Sequence, residues 1–213
     1  MPSTMYTLFG IQGSGSAAVE AALEAAQAPY NIVSAASWEP ESALGSLRQV
    51  NPLVQIPTLQ LPDGSVLTES AAILIHLGLE FPAAKILPLP SSLRAQAIRG
   101  LVFIAANCYS AVGITDYPER WCADIDESAR ERIGRGARDQ LHRSWEIFAD
   151  LFPARPFLGG ELPGGLDFLA AVVSKWSGTR AHLKSTRPEF MATLDRIEHH
   201  PRVAPVFKRH WPG

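Results

Sequence analysis

The chain predicts an α/β N-terminal half followed by an all-α second half. Three features of the sequence point there. Short β-type runs and helical stripes alternate through the first 80 or so residues, one pair of runs reads as a β-hairpin, and beyond a proline-rich stretch only helical periodicity remains.

In order, Met5-Tyr6-Thr7-Leu8-Phe9 is a short, largely apolar run stopped by Gly10 and predicts a first strand. Gln12-Gly13-Ser14-Gly15-Ser16 is a loop rich in possible N-caps. A helix is expected from Ser16 to about Ala26, because Val19, Ala22, Leu23 and Ala26 recur at helical spacing. Pro29 closes it and Tyr30-Asn31-Ile32-Val33 gives a second strand, so a parallel βαβ unit is expected. Residues 39–48 predict a short helix.

Asn51-Pro52 then signals a turn, and Val54-Gln55-Ile56 leads into Pro57. Lacking an N–H, Pro57 can only start a strand or lie on an edge, and the Ile56–Pro57 bond is a candidate for the cis form. Thr58-Leu59-Gln60-Leu61, the turn Pro62-Asp63-Gly64 and the return Val66-Leu67 make the hairpin. Thr68 or Ser70 can cap the next helix, whose stripe is Ala72, Ile75 and Leu79, and Glu69 suits its positive end.

After Leu79 the segment 82–91, with Pro82, Pro88, Pro90 and paired serines, reads as a linker. Helices are expected over 92–115, 127–151, 166–182 and 188–198. The organisation is therefore 1–81, a linker at 82–91, and a helical domain at 92–213.

Composition narrows the function. Of 213 residues, 46% are hydrophobic and 19% charged, as in ordinary globular domains. A net charge of −2 with scattered Lys and Arg gives no nucleic-acid footprint. Cys108 and Cys122 are too few for a disulfide framework and read as reduced thiols. No signal-peptide pattern opens the chain and no uninterrupted apolar run of about 18 residues occurs, so neither export nor membrane insertion is expected. His199, His200 and His210 lack metal-ligand spacing, so no metal site is expected and they read as surface or capping residues.

The stretch from Asn51 to Ile75 carries the chemistry. The backbone of Ile56 could pair with an extended ligand by strand addition, and the N–H groups around Glu69 and Ser70 could hold a carboxylate at a helix start. Together they describe a site for an anionic, peptide-like ligand. The loop Gly13-x-Gly15-x-x-Ala18 also fits a dinucleotide-binding fingerprint. Two features weigh against that reading: Tyr30-Asn31-Ile32-Val33-Ser34 ends without the acidic residue it needs, Glu39 beyond Trp38 being the nearest, and no further βαβ units follow.

In Asn51-Pro52, Gln55-Ile56-Pro57, Leu59, Asp63-Gly64, Leu67, Glu69-Ser70 and Ala72-Ile73, the sequence resembles the glutathione transferase family. The resemblance implies a thioredoxin-like first domain and a helical second domain. It also implies a cytoplasmic homodimer that conjugates glutathione to a hydrophobic electrophile in detoxification, or a non-enzymatic relative serving as a regulatory or partner-binding module. Gln55, Ile56, Pro57, Glu69 and Ser70 would bind glutathione as co-substrate, with Trp38 and Arg48 near its glycine carboxylate. Asn107, Tyr109 and Tyr117 would line the electrophile pocket.

Such an enzyme must make a thiolate. A free thiol has a pKa of about 8.5, and lowering it by two units needs roughly 2.7 kcal/mol of preference for the anion. A hydroxyl at the start of the first helix could supply much of that. Counting forward from Phe9-Gly10 places Ser14 at the family's serine position; counting back from Val19 reaches Gly13 and gives Ser16 a helix-side place. Both serines stay open as catalytic candidates. Two departures stand out. Residues 92–115 contain no Asp or Glu to meet the ligand amine, and the expected Ser/Thr-x-x-Asp capping box reads Gly164-Gly165-Leu166-Asp167.

Overall fold

The computed structural model describes residues 5–39 and 41–212. Strands β1 (Tyr6–Gly10), β2 (Tyr30–Ser34), β3 (Thr58–Gln60) and β4 (Val66–Leu67) form one sheet in the order β2-β1-β3-β4. β1 and β2 are parallel, with Leu8 beside Ile32; β3 runs antiparallel to both β1 and β4. Helices α1 (Ser16–Ala26), α2 (Leu44–Val50) and α3 (Ser70–Glu80) complete the first half. The short helix therefore begins later than the expected residue 39, and Pro40 lies outside the described residues. Together these elements make the α/β, thioredoxin-like half that the sequence predicts.

The sheet is covered on both faces. Phe9, Ala35 and Leu47 form a small core beneath α2, while Leu8, Leu59, Ala18, Ala22, Ile73 and Leu77 join a larger one with α1 and α3. That larger core continues without a break into the second half through Leu101, Trp145, Phe148 and the wholly buried helix Gly165–Val173.

The second half is all-helical: α4 (Ser91–Phe103), a π-helical turn (Ile104–Tyr109), α5 (Ser110–Asp116), α6 (Glu127–Leu151), α7 (Gly165–Val173), α8 (Thr179–Thr186), α9 (Pro188–His199) and α10 (Ala204–His210). The expected helix over 166–182 is two helices, because Ser177 and Gly178 take positive φ between them. α10 was not anticipated.

Ser91–Asp116 is continuous, and a stretch of 18 residues within it has a mean hydropathy of 1.5, by length and composition apolar enough to cross a bilayer. The test by uninterrupted runs missed it because isolated polar residues break the apolar sequence. Here Ala97, Gly100, Leu101, Ile104, Cys108 and Val112 face the protein core.

The proline-rich segment is packed rather than loose. Ile86 and Leu87 are buried, and the Ile86 carbonyl accepts the Gly165 N–H at 2.7 Å. This contact explains the odd capping box. A Cβ on Gly164 would stand 2.7 Å from the Ile86 oxygen, so no Ser or Thr fits there. Asp167 takes over the cap, accepting from the N–H groups of Leu158, Gly159 and Gly164 at 2.8, 2.9 and 2.9 Å.

Candidate functional site

A cleft of about 550 Å³ opens where the loop ends of the sheet meet α5 and α7. On the sheet side it is lined by Ser14, Trp38, Gln55, Ile56, Pro57, Glu69 and Ser70. On the helical side it is lined by Tyr109, Asp116, Tyr117, Arg120, Leu169 and Trp176.

Asn51 shapes the Ile56 side. Its buried amide donates to the Gln55 carbonyl at 3.1 Å and to the Thr58 hydroxyl at 2.9 Å, while its side-chain oxygen accepts the Leu53 N–H at 3.0 Å. The Thr58 hydroxyl donates to the Gln55 carbonyl at 2.8 Å. These bonds hold the turn that brings Ile56 to the cleft, and the Ile56–Pro57 peptide is cis.

Also on the sheet side, Glu69 precedes α3 with φ 64° and ψ 110°, a conformation sparsely populated by non-glycine residues. Neither Thr68 nor Ser70 caps α3; the Glu69 N-cap position makes no side-chain hydrogen bond. The first N–H groups of α3 are thus left for a ligand.

The loop before α1 is tied from both directions. Gly13 donates its N–H to Nδ1 of His210 at 3.1 Å, and Nε2 of the same ring lies 2.6 Å from Glu20. Because Nδ1 accepts, the neutral ring carries its proton on Nε2, directed at Glu20. His210 is thus buried, not a surface residue.

The Ser14 hydroxyl points inward. It donates to the Ile11 carbonyl at 2.7 Å and lies 2.8 Å from the Ser16 hydroxyl, with Ser14 only 5% exposed. Ser14 reaches the cleft wall but its hydroxyl is engaged elsewhere. Ser16 is buried beneath it and does not line the cleft, which corrects its candidacy.

Two further expectations are corrected. Arg48 is exposed on α2, away from the cleft, because Leu47 takes the inward-facing position. Asn107 is exposed on the outer side of the π turn, its amide donating to the Phe103 carbonyl at 3.1 Å. Sequence reasoning also missed several lining residues, Asp116, Arg120, Leu169 and Trp176 among them. Asp116 lies one residue beyond the stretch noted as free of acids, and Trp176 packs against Tyr109 with centroids 5.6 Å apart and planes tilted by 30°.

The cleft mixes charge and aromatic surface. The Arg120 guanidinium lies 3.9 Å from the centre of the Tyr117 ring. Burial raises the Asp116 carboxyl. Burial, reinforced by the charges of Glu69 and Asp116, pushes the Tyr109 phenol up to about 12. Cys108, on the same turn, faces the core and is pushed up by burial, so its thiol is inert. Among the described residues no cluster of three or more metal-ligating side chains occurs.

A thioredoxin-like half sharing its core with a helical half, and a cleft at their junction, define the glutathione transferase fold. Residues 16–80 match the glutathione S-transferase N-terminal domain family. An uncharacterized GST-like protein, YncG, of Escherichia coli (strain K12) is 28% identical over 208 residues, covering 97% of this chain and 98% of its own length. A glutathione transferase homolog from Sulfitobacter with bound glutathione superposes with a TM-score of 0.82 at 22% identity, over 95% of this chain and 97% of that one. A glutathione S-transferase from Methylobacterium radiotolerans in complex with glutathione sulfonate gives 0.75 at 25% identity, over 96% and 95%. The first half of the chain thus carries a segment similar to the glutathione S-transferase N-terminal domain, and the whole chain shares the glutathione transferase fold.

Proposed function

We propose that the chain is a glutathione transferase that joins the glutathione thiolate to a hydrophobic electrophile. One observation carries this reading: Ile56 and the start of α3 at Glu69-Ser70 line one and the same cleft. The cysteinyl part of the tripeptide pairs with Ile56 as an added strand. A carboxylate of the tripeptide sits on the N–H groups at Ser70, where the helix dipole favours it. Gln55 and Trp38 border the peptide, and Asp116 offers a carboxylate to its amine. The relatives solved with glutathione and with glutathione sulfonate support the ligand class.

The electrophile enters against Tyr117, Leu169 and Trp176. Exposed Leu79, Leu89, Leu93 and Val102, on and between α3 and α4, support a homodimer, to be checked by light scattering. Reduced cysteines support a cytoplasmic setting.

A glutathione-binding protein without turnover is the second reading, favoured by the inward Ser14 hydroxyl. Retention on immobilised glutathione and turnover of a generic aromatic electrophile test the two. Retention with turnover supports the transferase, and retention without turnover supports the binding protein. Failure of folded protein to be retained contradicts both.

A further inference from the structure

If Ser14 does not face the thiol, another group must. The N-cap of α1 is Gly15, which has no side chain, and the space a Cβ would fill is occupied by the second domain. A Cβ on Gly15 would lie 2.2 Å from the Tyr109 hydroxyl oxygen and 3.2 Å from the ring carbon bearing it. The phenol therefore touches the N-terminus of α1, where the helix field favours an anion. Pro57 lies against the same point, its Cδ 3.5 Å from the Cβ position.

Tyr109 ends the π-helical turn Ile104–Tyr109, whose extra residue per turn re-aims its side chain; such turns are frequent at functional sites. The ring is fixed by Trp176, and its hydroxyl forms no hydrogen bond to the protein among the described residues. By contrast, the hydroxyls of Ser14 and Ser16 bond to each other and to Ile11.

We propose that the Tyr109 hydroxyl, reaching across from the helical domain, is the donor that holds the glutathione thiolate at the start of α1. This rests on the glutathione-binding reading above. The step is a simple ionisation: the S–H bond breaks, its proton passes to solvent, and the sulfur keeps the electron pair and accepts the Tyr109 O–H. The phenol gives up no proton. The charged groups facing this point are Glu69 before α3, Asp116 at the end of α5 and Arg120 after it. The two carboxylates oppose a second negative charge, so a fixed donor is needed. Burial keeps the phenol protonated through the working range, as a donor must be.

The test titrates the ultraviolet absorbance of bound glutathione thiolate against pH in wild type, Tyr109→Phe and Ser14→Ala, with glutathione affinity measured by calorimetry and folding by circular dichroism. Tyr109→Phe removes one oxygen and keeps the ring on Trp176, so its fold should persist. Its thiolate midpoint should rise by about one to two units, as loss of a charge-assisted hydrogen bond predicts, with affinity for the neutral thiol within about threefold. Ser14→Ala should move the midpoint by no more than a few tenths. An unmoved midpoint in Tyr109→Phe, or a large shift in Ser14→Ala alone, overturns the proposal while leaving glutathione binding intact. Absence of glutathione binding in folded wild type removes the underlying reading as well.

Discussion

Asn51 and Glu69 show how single residues set this cleft. Asn51 commits its amide and carbonyl to Gln55, Thr58 and Leu53, so it shapes the turn from within the cleft wall. Asn51→Ala should cost about 2–3 kcal/mol in urea unfolding, because buried partners lose their bonds, and should weaken glutathione binding through misplacement of Ile56. Glu69 holds a positive φ, and Glu69→Gly should relieve it. That variant is expected to be no less stable than wild type by thermal unfolding, yet to bind glutathione several-fold more weakly by calorimetry, since a freer backbone loses preorganisation. The sequence placed Gln55, Ile56, Glu69 and Ser70 on the cleft because their order and spacing are local. Spacing brought Ser14 and Ser16 to the start of α1 but carried nothing on the direction of their hydroxyls, which depends on which carbonyl lies within reach, here Ile11.

At the scale of elements, Gly164 illustrates a departure from a cap rule that has a steric cause. By cap preference alone, Gly164→Ser should help by a few tenths of a kcal/mol. With the Ile86 carbonyl 2.7 Å from the Cβ position, it should instead destabilise by about 1–3 kcal/mol, read as a lower urea midpoint with unchanged slope. Periodicity located α1, α3, α6 and α9 well because their apolar stripes are strong. It merged α7 and α8 because Lys175 to Gly178 holds no proline, and it missed the π turn because one added residue leaves the apolar pattern readable. That turn aims Tyr109, so the least legible piece of local structure sits at the centre of the site.

Across the whole molecule, the two halves share a core and the chain's last helix reaches back to its first. Arg209 and His210 of α10 both engage Glu20 of α1, each at 2.6 Å, and His210 also holds Gly13. Burial alone would raise the Glu20 carboxyl, but hydrogen bonds from His210 and Arg209 and the charge of Arg209 leave it below its ordinary value of 4.5. The stability it contributes is therefore fully present above about pH 4.5 and lost as pH falls through the lowered folded value. Glu20→Gln should lose about 3 kcal/mol at neutral pH and show a flatter acid limb in urea unfolding between pH 5 and 3. None of this contact was readable beforehand, since Glu20 and His210 are 190 positions apart and no local pattern links them.

The fold, the comparisons and the proposed chemistry meet in one claim, that the hollow between Ile56 and Ser70 receives glutathione. Amide chemical-shift mapping during a glutathione titration tests it most directly. Saturable shifts concentrated at Gly15, Gln55-Ile56 and Glu69 to Ala71 are the predicted result. Saturable shifts confined to other surfaces, or none in folded protein at millimolar glutathione, would contradict it.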